Sequence, residues 1–147
     1  MATSIKVTVT VNAPVETVWH DFMNPDNLKH WLTGFVSVEP ISGLPGEEGS
    51  ISKMKFIERG REMEVIEKVL QVKPMQQYSF TMKHGTLDIL TDVRFISIGQ
   101  LTEIIQAVQF SPKGVFMKCI MPLIKGGMKK RMRNELKGLK EFIESKK

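Results

Sequence analysis

In the stretch QYSFTMKH, Tyr78, Phe80, Met82 and His84 alternate with Ser79, Thr81 and Lys83, a period of two that puts the first four on one face of a strand. A histidine near the rim and a phenol further along are residue types that orient a polar group on a ligand or act as acid and base. Tyr78 and His84 are therefore the candidate catalytic residues. A histidine that ends a strand beside Gly85 equally suits a position facing water. Glu62, Glu64 and Glu67 form a second group: the first two share a face opposite Met63 and Val65 and point outward, while Glu67 reaches the inner face only if its strand runs without a bulge. His20, His30 and His84 show no metal-ligand spacing, and His20 and His30 sit on or beside the polar side of helices. The single cysteine, Cys119, lacks a histidine partner for a nucleophile motif and can form neither an internal disulfide nor a multi-cysteine metal site. No metal and no cofactor are expected.

Methionine is over-represented, with ten in 147 residues. Met117, Met121, Ile124, Met128 and Met132 follow steps of three and four near the carboxyl end, one stripe of a helix. Met54 with Phe56, Met63 with Val65, and Met82 fall on strands that face it. Methionine packs ordinary cores, and it also gives flexible linings that accept several apolar shapes.

The elements that must position these residues follow from periodicity. SIKVTVTV (4–11) alternates as a half-buried strand. Pro14 then suits the first turn of a helix with Val15, Val18, Trp19 and Phe22 on one stripe, and Asn24 caps a second short helix carrying Leu28, Trp31 and Leu32, closed by Gly34. Between Phe35 and Phe110 the period is two, and turn signals leave strands at about 35–42, 50–58, 62–72, 77–84, 87–97 and 101–110. On the fifth of these, Leu87, Ile89, Thr91, Val93 and Phe95 share the inner face. GLPGEEGS lies between two strands, lacks the Lys-Ser/Thr ending of a P-loop and carries two glutamates, so it reads as a hairpin loop. From about Lys113 to Ser145 a long amphipathic helix follows, weakened at Pro122 and Gly126–Gly127.

Composition bounds the setting. A chain of 147 residues fits a single domain, 1–147, and 41% apolar with 25% charged residues is ordinary for a globular chain. No run approaches the ~20 apolar residues of a membrane span, and the lone cysteine suits a reducing cytoplasm. Residues 112–147 carry eleven Lys/Arg against three Glu, whereas residues 1–111 carry ten against thirteen Asp/Glu. The basic face formed by Lys125, Lys129, Lys130, Arg131, Arg133 and Lys137 suits peripheral contact with an acidic protein or an anionic membrane, and equally suits a solvated helix face. It lacks the interleaved aromatics of single-strand nucleic-acid binders, so no nucleic acid is expected.

VNAPVETVW followed by NPDNLKHW, and the closing SPKGVFMKCIMPLIKGGMKKRMRNELKGLKEFIE, resemble the opening and closing segments of the START-like, birch-pollen-allergen-like superfamily of polyketide cyclases/dehydrases and lipid-transport proteins. The resemblance spans nearly the whole chain. It implies an α+β helix-grip fold: a curved seven-stranded antiparallel sheet, two short helices after strand 1, and a long carboxyl-terminal helix over the sheet. It also implies a cavity between sheet and helix, opening near the second short helix, with Trp19 as an anchor and Trp31 as either core or cavity wall. The expected ligand-binding residues are Trp31, Met54, Phe56, Met63, Val65, Tyr78, Phe80, Met82, His84, Ile89, Thr91, Met117, Met121, Ile124, Met128 and Met132. The expected function is binding or transport of a small hydrophobic or amphipathic molecule. The alternatives are a cyclase/dehydratase-type enzyme and an interaction module using the basic helix.

Overall fold

Strict alternation over residues 35–112 builds a sheet with one apolar face, and the insert after the first strand carries the chain across that face. The computed structural model describes residues 3–85 and 87–146, with the side chains of residues 3, 116, 117, 120, 121 and 123 outside the description. The elements are β1 (Thr3–Val11), α1 (Val15–Met23), a 3-10 turn (Pro25–Asn27), α2 (Leu28–Trp31), β2 (Phe35–Ser42), β3 (Ile51–Glu58), β4 (Arg61–Lys73), β5 (Gln77–His84), β6 (Leu87–Ile98), β7 (Leu101–Pro112) and α3 (Val115–Glu144). The strands form one antiparallel sheet in the order β1-β7-β6-β5-β4-β3-β2. β3 to β7 follow one another through connections of two or three residues and β2 joins β3 through the loop 43–50, so only the insert 12–34 spans the sheet from edge to edge. This is the helix-grip α+β fold.

The second short helix differs from the expected single element. Asn24 does cap it, its Oδ1 accepting from the Asp26 N–H at 3.0 Å, but the first turn is 3-10 and only Leu28–Trp31 is α-helical. Pro25 at the start supplies no N–H, which a first turn does not need. Gly34 then turns the chain into β2 at φ +72°, and its carbonyl accepts from the Ile57 N–H at 2.8 Å; a Cβ there would stand 2.3 Å from the Ile57 carbonyl oxygen. Glycine is thus required twice over at this corner.

α3 is one helix despite Pro122, whose place in an exposed turn costs a single backbone bond. Its carboxyl half is tied down at the β1 side. The Asn12 N–H donates to Glu144 Oε2 at 2.8 Å, and Lys146 Nζ meets the buried Asp21 carboxylate of α1 at 2.9 Å. Between these ties Leu136, Leu139 and Ile143 pack on Val11, Val18, Ile104 and Phe110 as the main core. Gly138 faces α2, where an added Cβ would make ordinary contact with Trp31 at 3.7 Å. Trp19 packs edge-on to Phe95 at 5.1 Å, anchoring α1 to β6. Among the described residues, no helix is long and apolar enough to cross a membrane.

Candidate functional site

α3 packs on β1 and β7, and on the β3–β5 side a cavity of about 290 Å³ lies between helix and sheet. Its floor comes from the inward positions that alternation assigns. Met54 and Phe56 of β3, Met63 and Val65 of β4, Tyr78, Phe80, Met82 and His84 of β5, and Ile89 and Thr91 of β6 all line it. Trp31 of α2 and Met128 and Met132 of α3 close it from above. Ile124 lies instead against the main core cluster and is not part of the lining. Met117 and Met121 fall outside the residues whose side chains are described.

Several lining residues come from the insert and loops and were not expected. Phe22, Met23, Pro25, Leu28 and Leu32 face the cavity, as do Pro45 and Gly46 of the β2–β3 loop. Phe22 is the hub of an aromatic wall, stacked on Trp31 at 5.6 Å and edge-on to Tyr78 at 5.8 Å and Phe95 at 5.1 Å. Tyr78 continues it to Phe80 at 5.4 Å. Trp31 is therefore cavity wall as well as packing. Its indole N–H is buried without a hydrogen-bond partner among the described residues.

The polar groups fall into two sets. At the α2–α3 side, Arg131 forms ion pairs with Glu58 at the end of β3 and with Glu135 one turn along the helix, and donates through Nη2 to the Thr33 carbonyl at 3.0 Å. Glu135 Oε2 in turn accepts from the Thr33 N–H at 2.9 Å. Burial raises the Glu135 pKa, against the lowering pull of the Thr33 N–H and the guanidinium. Arg131 therefore belongs to an inward clamp joining α3, the α2–β2 corner and β3, which corrects its placement on the exposed basic face. Lys125, Lys129, Lys130, Arg133 and Lys137 do lie exposed. His30 is exposed too, with its ring stacked on Phe142 at 4.7 Å.

The second set is Glu67 with Tyr78. β4 pairs without interruption from Arg61 to Lys68 with β3, and its register shift against β5 comes later, between Val69 and Gln71. Glu67 thus keeps inward phase, opposite Ser52 and Met82, and lines the cavity. Among the described residues its carboxyl makes no hydrogen bond or ion pair, and desolvation raises its pKa to about 7. Burial, with Glu67 nearby, pushes the Tyr78 phenol well above its ordinary range, so it stays protonated. Tyr78 and His84, six residues apart on one strand, are separated by about 20 Å at the ~3.3 Å rise of a strand, too far to serve one reacting atom. His84 is exposed, its Nδ1 3.2 Å from the Glu64 carbonyl oxygen. The charge that acts on Tyr78 is that of Glu67, which lies opposite Met82 on the neighbouring strand.

Similar architecture recurs among solved structures. The Zhui aromatase/cyclase from a Streptomyces species superposes with a TM-score of 0.83 at 11% identity, over 98% of this chain and 94% of that one. Norcoclaurine synthase from Thalictrum flavum gives 0.73 at 21% identity, over 100% and 89%. Ara h 8.0201 gives 0.72 at 17% identity, over 99% of both chains. At these identities the likeness is one of fold. No curated protein matches the chain. The sequence model of the family described as polyketide cyclase / dehydrase and lipid transport matches residues 2–144, and the chain belongs to that family.

Proposed function

We propose that the protein binds and carries a small hydrophobic or amphipathic molecule in the cavity between sheet and α3. The observation that carries this reading is the cavity itself, about 290 Å³ walled by aromatic and methionine side chains. A dry void of that size would cost about 7 kcal/mol at roughly 24 cal/mol per Å³, comparable with the ~5–15 kcal/mol stability of a whole domain. The space is therefore occupied by water or by a guest. An apolar wall holds water poorly, because each water needs two or more polar partners. A hydrophobic guest fits better and lies at the low end of the ~300–1,000 Å³ range of ligand sites. Methionines on the β3, β4, β5 and α3 walls let the outline adjust to the guest.

The test is to titrate an environment-sensitive apolar fluorophore into the protein and into Met128→Trp, which fills the cavity from the helix side without adding charge. The reading predicts binding to the parent and at least a tenfold loss in the variant, with the thermal transition retained. Equal binding by both would reject the cavity as the site.

A cyclase- or dehydratase-type reaction is a second reading, favoured by one observation. Glu67 is a partly buried, desolvated carboxyl with a pKa near 7 in the same cavity as a protonated phenol, and general acid–base catalysis works best with a group tuned close to the working pH. On this reading Glu67→Gln abolishes turnover of any accepted substrate, whereas His84→Ala leaves it intact. The opposite pattern would exclude Glu67 as the proton-transfer group.

A further inference from the structure

The cavity's charge runs against that of the molecule. The chain carries a formal +5, yet the lining holds Glu58, Glu67 and Glu135 against Arg131 alone. Arg131 is already shared between Glu58 and Glu135, and both Arg131 and Glu135 bond to Thr33 at the α2–β2 corner. Glu67 stands apart from the clamp on the floor, with Met82 and Ser52 beside it in register and no partner for its carboxyl among the described residues. The titratable groups that face it across the cavity are Tyr78 and His84 from β5, Glu58 from β3, and Arg131 and Glu135 from α3. The lining residues of β6, β7 and the helical insert include no titratable side chain.

A buried charge without a partner is costly, and a ligand that supplies the opposite charge removes that cost. We propose that Glu67 makes this cavity selective for amphipathic amines, molecules with an apolar body and one protonated nitrogen. This rests on the cavity being the ligand site. The ammonium would pair with the Glu67 carboxylate on the floor while the body lies against Phe80, Met82 and Ile89. The rings of Tyr78 and Phe80 on the neighbouring strand add faces that attract a cation. A ligand carboxylate, by contrast, would meet a like charge and must bind protonated or not at all.

The proposal fixes the sign of a pH effect. Glu67 titrates near pH 7 in the free protein, so at pH 5.5 it is largely neutral and an ammonium entering the cavity finds no counter-charge. At pH 8.5 the carboxylate is in place, and a primary alkylamine is still protonated. Affinity for the amine therefore rises by about tenfold or more across that interval, as expected when binding is linked to one deprotonation.

Three probes with the same ten-carbon body, decylamine, decanol and decanoate, separate this proposal from the reading beneath it when titrated calorimetrically at pH 5.5 and 8.5. The expected result is that decylamine binds at least tenfold more tightly than decanol at pH 8.5, that the preference falls below threefold at pH 5.5, and that it falls to near one in Glu67→Gln. At pH 8.5, decanol binding as tightly as the amine, or decanoate binding as tightly as decylamine, overturns the amine proposal and leaves the apolar site standing. Failure of all three probes to bind overturns both. An amine preference that survives in Glu67→Gln overturns the assignment to Glu67, and the pH dependence of the parent protein reads the same question should that variant not fold.

Discussion

Where the carboxyl half of α3 lies on β1 and β7, Val11, Val18, Ile104, Leu136, Leu139 and Ile143 are all 0–2% exposed, and ties at Asn12 and Asp21 hold the helix end down. Where the middle of α3 faces β3 to β5, the interior holds Met54, Met63, Met82, Met128 and Met132 around open space. Both regions are apolar. The first uses branched aliphatics, whose few rotamers interlock to crystal-like density, and the second uses the unbranched thioether, which adapts its shape. One end thus carries stability and the other is free to carry a guest. The clamp of Arg131, Glu58, Glu135 and Thr33 sits beside the hollow end and holds helix to sheet where apolar packing does not.

Truncation at the packed end should have the largest effect. Leu136→Ala leaves a cavity in a close-packed cluster and is expected to cost about 3 kcal/mol, roughly 10 °C in melting temperature. A loss below about 1 kcal/mol by denaturant titration would mean that this end is loose as well. Glu67→Gln should act in the other direction. A carboxyl whose pKa rises from 4.5 when unfolded to about 7 when folded favours the folded state fully below pH 4.5, and that contribution is lost as pH rises through 7. The amide has no charge to bury, so the variant should exceed the parent by about 2 kcal/mol at pH 8 and match it near pH 4.5, the full ~3 kcal/mol being reduced by solvent that reaches the cavity. A pH-independent difference between the two proteins would show that Glu67 is not desolvated. Met82→Ala should have the smallest effect, about 1 kcal/mol, because it enlarges an existing space instead of opening a new one. If Met82→Ala costs as much as Leu136→Ala, the contrast between the ends fails.

The sheet and the floor of the site were legible in sequence because a strand's period of two fixes which side chains share a face, and glycine-rich turns fix where each strand stops. Strand limits such as 77–84 and 35–42 follow directly from that pattern. Glu67 was conditional because one bulge reverses a strand's phase, and nothing local in REMEVIEKVLQVK says on which side of Glu67 the shift falls. Arg131 was misplaced for a different reason. It flanks the stripe of Met128 and Met132, where a long side chain can turn to water or inward, and the groups that draw it in, Thr33 and Glu58, are distant in sequence. Phe22 and Leu28 fall on the apolar stripes of their helices, and Met23 lies off the first of those stripes. Their cavity positions depend on how the insert crosses the sheet, which periodicity along the chain does not encode.

The division between a packed end and a receptive end is tested most directly by nuclear magnetic resonance of a protein carrying labelled methionine, isoleucine and leucine methyl groups, titrated with an apolar probe. The account predicts that the methyls of Met54, Met63, Met82, Met128 and Met132 shift together and saturably, while those of Ile104, Leu136, Leu139 and Ile143 stay within their unliganded positions. Shifts confined to surface residues such as Met75, or spread evenly through both ends, would contradict it.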